Sequence, residues 1–433
     1  MQLTVVSMAA AHIEQAATLV VDRYSALRER VPLLPVRYRD MATMRMMLSE
    51  LEGRAPGVVA LSGGDVVGFL IGFVIPEFRG RRAVFSPEWA NGARRDVARR
   101  AYEDMYTHLS AQWVHDGCLT HLISLLPEER EAIETFHWLG FGMIAADGLR
   151  GMDTVQCRDP GVTIRRGDAG DLRHVAELDE ALDRHVAAAP TFLQHIDKHD
   201  KRYFEEWMQN PANALWLAFR DGEPVAFLAA GPASAEACTI IRDEKTMSIT
   251  AAYTAEPLRG RGIAAMLLNS ALSWGRSEGY ERCAVDFEPM NPPATRFWLE
   301  HFQPVSYTLA RQIDEGGTWG KQAAGRHETR ERLPPDRIGI AGPKADCPTP
   351  SCGAGASTGL RKPCSVDLWE GRHRGRLRGD RGPEDNPGLR RSRDRHGHCE
   401  KAARRRAQGT VQQPLARMGI RGAEGPSEAE DLA

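Results

Sequence analysis

The stretch MSITAAYTAEPLRGRGIAAMLLNSALSWG, residues 247–275, constrains this chain more than any other. An apolar strand (247–254) runs into a turn holding Gly260 and Gly262, and a helix follows in which Ile263, Leu267, Ala271 and Trp274 recur at helical spacing. Glycine is unfavourable at a helix start unless the backbone takes positive φ or must come close to something. A helix N-terminus offers unpaired N–H groups and about half a positive charge, so an anion is stabilised there. Small residues at 260, 262 and 264 let successive amides curl into a concave nest, and Arg259 and Arg261 add attraction. The plainer alternative is a helix packed tightly on its own strand beside two solvated arginines. A mononucleotide P-loop needs a Lys after the glycines, and none follows. A dinucleotide fingerprint fits in part, with Ala265 at its third small position and Asp286 or Glu288 as the later acid, but the hairpin strands upstream do not suit it.

The chain reads as a duplication. "VVALSGGDVVGFLIGFVI" (58–75) and "LWLAFRDGEPVAFLAAG" (215–231) are each strand, glycine-containing turn, strand. Each follows a helical stretch and precedes more strand and a long amphipathic helix. "LTHLISLLPEEREAIETFHWLGFGM" (119–143) then resembles "RCAVDFEPMNPPATRFWLEHFQPV" (282–305). A repeat of this length is two copies of one domain rather than a solenoid unit. The joint falls near 151–163, and the second copy opens on a strand and a helix with Asp168 or Asp171 as N-cap.

Composition separates a body from a tail. Residues 321–433 hold 23 Lys+Arg against 15 Asp+Glu, with 16 Gly, 10 Pro and no Phe or Tyr, so that segment lacks the apolar area to offset chain entropy and is expected to be disordered. Its basic runs suit nucleic acid or anionic lipid through charge alone, or are simply solvated. With only seven Lys against 49 Arg in the whole chain, the tail also reads as a frameshift product of a GC-rich gene. No signal peptide or membrane span is legible, and eight cysteines without C-x-x-C spacing point to free thiols, so a cytoplasmic location is expected. His195 and His199 stand four apart without an H-E-x-x-H pattern, and no metal is expected.

Arg259-Gly260-Arg261-Gly262-Ile263-Ala264 resembles the [RQ]-x-x-G-x-[GA] signature of the GNAT superfamily of N-acetyltransferases, and "NPPATRFWLEHF" (291–302) resembles that family's N-x-x-A-x-x-x-Y-x-x-G-F. The likeness extends over most of residues 162–313. It implies an α/β (α+β) fold of two tandem GNAT-like domains, each a mixed, mostly antiparallel twisted sheet flanked by helices. Residues 1–152 form a degenerate copy without a pyrophosphate loop, 160–315 the acyl-CoA-binding acetyltransferase domain, and 321–433 the tail. The loop amides of Arg259, Gly260, Arg261, Gly262, Ile263 and Ala264 hold the pyrophosphate of acetyl-CoA, and the pantetheine arm pairs with backbone near Tyr253 and Thr254. Asn291 is either the Asn beside the co-substrate or the cap of the helix at Pro292.

Transfer is direct, from thioester to an amine, so a base and an acid are sought. Asp286 or Glu288, two apart at a strand end, suits the base. The family's tyrosine acid aligns with Trp298, which has no titratable proton near neutrality, and Tyr307, Tyr253 or water replaces it unless no acid is needed. With the copies superposed, the signature positions of the first fall on Ala98–Glu103, without glycine and with an opposing carboxylate, so that copy is expected to bind no acyl-CoA. "FSPEWANG" (85–92) matches no signature; Trp89 reads as core or interface. The expected function is transfer of an acetyl group to a primary amine of a small molecule or protein N-terminus, with a homodimer possible and nucleic acid engaged only through the tail. The alternative is a non-catalytic acyl-CoA-responsive binding protein.

Overall fold

The computed structural model describes residues 2–51, 53–193, 201–233 and 237–316. The tail (321–433), His195 and His199 lie outside the described residues. In chain order the first half comprises β1 (Thr4–Ser7), α1 (Ile13–Arg30), α2 (Met41–Leu51), β2 (Gly57–Ser62), β3 (Asp65–Ile71), β4 (Phe73–Phe78), β5 (Arg81–Ser86), β6 (Asn91–Ala93), α3 (Ala98–His115), β7 (Thr120–Leu125), α4 (Arg130–Trp138) and β8 (Gly142–Gly151). The second comprises β9 (Thr163–Arg166), α5 (Leu172–Ala187), α6 (Lys201–Gln209), β10 (Ala214–Arg220), β11 (Glu223–Pro232), β12 (Thr246–Thr254), α7 (Ile263–Ser277), β13 (Arg282–Phe287), α8 (Pro292–His301) and β14 (Gln303–Gln312). Apart from the β4–β5 hairpin, the order of elements repeats.

Local chemistry sets the equivalent hairpins. Gly63 and Gly64 turn β2 into β3 at φ 62° and 98°, and Asp221 and Gly222 turn β10 into β11 at 52° and 86°. Two consecutive positive φ values match the right-handed twist of the strands, which is why Gly-Gly and Asp-Gly stand there. Of the two candidate caps ahead of α5, Asp168 is the one that caps, accepting from Gly170 N–H at 2.8 Å, while Asp171 makes no capping bond to α5 and instead accepts from Asp168 N–H at 3.0 Å and pairs with Arg165 at 2.6 Å.

The halves do not own separate sheets. One sheet has the order β1-β2-β3-β6, and the other runs β4-β5-β7-β14-β8-β13-β12-β11-β10-β9. The final strand of each half therefore lies beside the penultimate strand of the other: β14 pairs with β7, and β8 pairs with β13. In register, Asp147 stands opposite Asp286 and Ala146 opposite both Phe287 and Tyr307. A period of two sets which side chains share a face but not which strand is the neighbour, so this exchange is invisible in the sequence.

Helices cover both faces. On the second half's sheet, Leu267, Leu268, Ala271 and Leu272 of α7 pack on Met247, Ile249, Cys283 and Val285, while Val175 and Leu178 of α5 pack on Leu215, Leu217 and Phe227 of the opposite face. At roughly 1.5–3 kcal/mol per buried large side chain, these contacts fix the helices firmly. A further core runs from α1 and α2 through Ala284 and Val305 to Ala237, Cys238, Ile240 and Ile241, crossing from the first half to the second. Among the described residues, no helix is long and apolar enough to cross a membrane, and no group of three or more His, Cys, Asp or Glu is placed to hold a metal ion.

Two outcomes follow from this architecture. Residues 1–152 and 160–316 expressed separately lose the strand that completes each sheet; neither is expected to unfold cooperatively, whereas co-expression should yield a soluble 1:1 complex by analytical size exclusion. The second concerns buried His121, whose Nδ1 accepts from the Tyr106 hydroxyl at 2.8 Å and whose Nε2–H donates to Cys118 O at 3.1 Å. Burial pushes its pKa down from 6.5 to about 4. The unfolded chain thus binds the extra proton first, and stability present above pH 6.5 is lost as pH falls through 4, by about 3 kcal/mol. Denaturant titrations between pH 7 and 4 should show that decline in the native chain and a shallower one in His121→Gln.

Candidate functional site

β12 and β13 are parallel neighbours only from Thr246 to Ile249 and from Arg282 to Val285; beyond these pairs they part. At the mouth of the gap, Gly260 and Gly262 take φ of 73° and 90°, and α7 starts at Ile263. No side chain caps that helix and no acid occupies its first turn, so its leading amides face outward with their partial positive charge uncompensated. A cavity of about 540 Å³ extends from Gly260, Gly262 and Ile263–Ala265, between the parted strands, to Leu182, His185 and Phe227. It passes Ala252–Thr254 on one side and Asn291, Ala294, Phe297 and Trp298 on the other.

Of the expected co-substrate residues, Tyr253, Thr254, Arg259, Gly260, Gly262, Ile263, Ala264 and Asn291 line this cavity, and exposed Arg261 does not. Arg259 is already engaged: its Nε donates to Thr254 O at 3.0 Å and its guanidinium lies 5.6 Å from the Tyr253 ring centroid. It braces the turn to the end of β12. The Asn291 side chain makes no capping hydrogen bond, and its Oδ1 lies 3.3 Å from His185 Nε2. His185 escaped the sequence reading. Its signal was a polar residue three after Leu182, on the stripe where Val175, Leu178 and Val186 are buried.

Of the proton-transfer candidates, Tyr253 lines the cavity, while Asp286, Glu288 and Tyr307 stand outside its wall. Asp286 alternates with Val285 and Phe287, which pack with α7 and α8, so it lies on the opposite face, the one on which Ala284 packs in the core of Cys238, Ile240 and Ile241. Glu288 follows the last residue of β13, so strand alternation with Asp286 does not extend to it, and it interacts electrostatically with Arg79. Tyr307 shares the row of Ala146 and Phe287 and packs against the cores under α3 and α7, where burial pushes its pKa up. Trp298, 7% exposed, does line the cavity. A contact the sequence hid is the linker: Asn269 of α7 pins Val155 through its side-chain amide, at 2.7 and 2.8 Å, and the Arg158 carbonyl then lies where a Cβ on Gly262 would meet it at 3.2 Å.

The first half solves the same position differently. A short 3-10 turn (Arg95–Val97) leads straight into α3 at Ala98, so the positions matching the glycine turn are Arg94–Val97 rather than Ala98–Glu103 as the superposition of sequences has it. Helix onset sets the correct alignment, and there is no glycine nest. The gap between β6 and β7 is filled. Asn91 Nδ2 donates to Ser124 O at 3.0 Å, the hydroxyl of buried Tyr102 donates to Asn91 Oδ1 at 3.0 Å, and Arg23 Nη2 pairs with Glu129 Oε2 at 2.6 Å. Glu129 precedes α4 as Asn291 precedes α8.

Residues 181–302 match the sequence profile of the Acetyltransferase (GNAT) family, and this span covers α7, the glycine turn and α8. No significant match to a curated protein was found. Among solved structures, the chain is similar to a GCN5-related N-acetyltransferase from Sphaerobacter thermophilus, with 13% identity, a TM-score of 0.45 and coverage of 72% of this chain and 96% of that one. It is also similar to a GCN5-related N-acetyltransferase from Kribbella flavida, with 14% identity, a TM-score of 0.31 and coverage of 72% and 71%. An aminoglycoside N-acetyltransferase in complex with CoA is similar over 32% of this chain and 88% of its own, with 20% identity and a TM-score of 0.26. The matched segment is a GNAT domain, and the second half is an acyltransferase of the type that takes its acyl group from an acyl-CoA.

The contrast between the halves predicts a stoichiometry. Calorimetric titration of the full chain with acetyl-CoA should give one site, and Gly262→Glu, which sets a carboxylate at the helix mouth, should weaken binding at least about 100-fold. Two sites, or full retention of affinity, would contradict the assignment of the turn.

Proposed function

We propose that the second half transfers an acetyl group from acetyl-CoA to a primary amine, of a small molecule or a protein N-terminus. The observation that carries this reading is the single cavity joining the glycine turn, on the α7 side of the sheet, to His185, on the α5 side. The turn amides and the α7 N-terminus hold the anionic end, Asn291 and the open edge of β12 orient the arm, and an acceptor approaches from the α5 side. Acetyl-CoA supplies the thioester carbonyl that the amine attacks. Backbone N–H groups on the unpaired edge of β12 are positioned to polarise that carbonyl, and alignment of the two reactants supplies much of the rate.

Asp286 is the carboxylate on the acceptor face, and we assign it the amine proton, directly or through water, ahead of Glu288 near Arg79. Tyr307, packed between cores, is replaced as acid by solvent. Trp298 in the wall favours a second reading, an acyl-CoA-responsive binding protein without turnover. Thiol release from acetyl-CoA, followed colorimetrically against a panel of polyamines, aminoglycosides, amino acids and peptide N-termini, separates the two. At least one amine should raise the rate over hydrolysis by ~100-fold or more, and Asp286→Asn should lower kcat by ~10²-fold while leaving acetyl-CoA affinity unchanged. Tight acetyl-CoA binding with no amine-dependent release would favour the binding protein.

A further inference from the structure

Glu88 and Trp89, from a motif that matched no signature, turn out to hold a piece of the second half. Glu88, 2% exposed, accepts the Ile240 N–H through Oε1 at 2.9 Å, and Trp89 Nε1 donates to Thr239 Oγ1 at 3.2 Å. Asp147, 4% exposed on the exchanged strand β8, accepts the Cys238 N–H through Oδ1 at 2.8 Å. Three consecutive residues, Cys238, Thr239 and Ile240, are thus each tied to a different first-half side chain. Tyr38 extends the clasp, its hydroxyl donating to Arg242 O at 3.1 Å.

The location of this clasp gives it meaning. Asp147 stands in register with Asp286 in the β8–β13 ladder, so the two side chains share a face and a row. At the other end, Lys245 O accepts the Glu281 N–H at 2.9 Å, just before β13 begins. The segment between β11 and β12 therefore folds back along β13 for about five residues, roughly 16 Å, and ends beside Asp286. Burying a carboxyl group without full compensation costs several kcal/mol, and apolar packing alone would hold a loop to a sheet more cheaply. Two such groups, both bonded to backbone N–H groups of one short segment, are a device for fixing backbone position.

We propose that Glu88 and Asp147 are positioning residues for acyl transfer, holding 237–242 as the wall of the acceptor cleft next to Asp286. The proposal rests on the acyl-transfer reading above and adds a role for the half that has no glycine turn. Burial lifts the pKa of both groups; at Asp147 the neighbouring Asp286 and Glu88 add to the rise, while the Cys238 N–H and Arg242 oppose it.

The test uses the full chain with the best amine of the panel. Asp147→Ala and Glu88→Ala should raise the acceptor KM by about tenfold with acetyl-CoA affinity within twofold of the parent. Hydrogen exchange at the amides of Cys238 and Ile240 should quicken by at least tenfold. Asp147→Asn and Glu88→Gln, whose amide oxygens still accept those N–H groups, should return KM most of the way to the parent value. If the alanine variants fail to fold, Trp89→Phe, which removes only the indole N–H to Thr239, carries the test with a KM rise of about threefold. An unmoved acceptor KM in folded variants whose 237–242 amides exchange faster overturns this proposal alone. No amine-dependent turnover by the parent chain overturns the acyl-transfer reading, and this proposal with it.

Discussion

Beyond Ile249, one edge of β12 has no strand beside it. Backbone N–H and C=O groups at such an edge require partners, and leaving them dry and unpaired would cost on the order of 1–3 kcal/mol each. Each half meets that demand in its own way. In the second half the parted strands enclose a cavity, and the chain's own bonds stop at the rim: Arg259 to Thr254 O on one side, Asn291 beside His185 on the other. In the first half, side chains complete the wall, with Asn91 reaching from β6 to β7 and the Arg23–Glu129 pair behind it. The same topological opening is kept for a ligand in one copy and sealed in the other.

The filled gap leaves the first half tied to the second. Because β8 and β14 change places, the ladder next to β13 belongs to the first half, and any displacement of β8 moves Asp286's row. Sheets are stiff along their hydrogen-bonded direction, and a strand buried on both edges cannot shift by one residue without turning every side chain to the wrong face. The first half can thereby fix the geometry of the site it adjoins. The continuous core from α1 to Ile240 and Ile241 adds packing to the same constraint.

What could be read from the sequence was whatever local chemistry encodes. The paired hairpins, with Gly63-Gly64 and Asp221-Gly222, and the glycine turn ahead of α7 were legible because φ > 0 restricts the residue type within a few positions. Asn269, Asp147 and Glu88 were not, since their partners lie 114, 91 and 152 residues away and no periodicity links them. His185 falls between these cases: its place on the α5 stripe was readable, but its meeting with Asn291 needed the fold. The displaced signature alignment in the first half has the same origin. The onset of a helix is not marked by a glycine in the first half, and only the start of α3 at Ala98 sets the match.

Charge is distributed across the sheet in the direction that acyl transfer to an amine requires. On the α7 side, an uncapped helix N-terminus with no acid in its first turn favours a diphosphate. On the other side, Asp147 and Glu88 hold backbone N–H groups of Cys238 and Ile240, and Asp286 stands in register with Asp147. An amine arriving protonated must shed its proton before attacking, and in the proposed reaction Asp286, in register with Asp147 on the face away from α7, takes it directly or through water. The cavity joins the two faces past the end of β12, where Phe227 and Tyr253 line it from one face and Leu228 and Ala252 from the other.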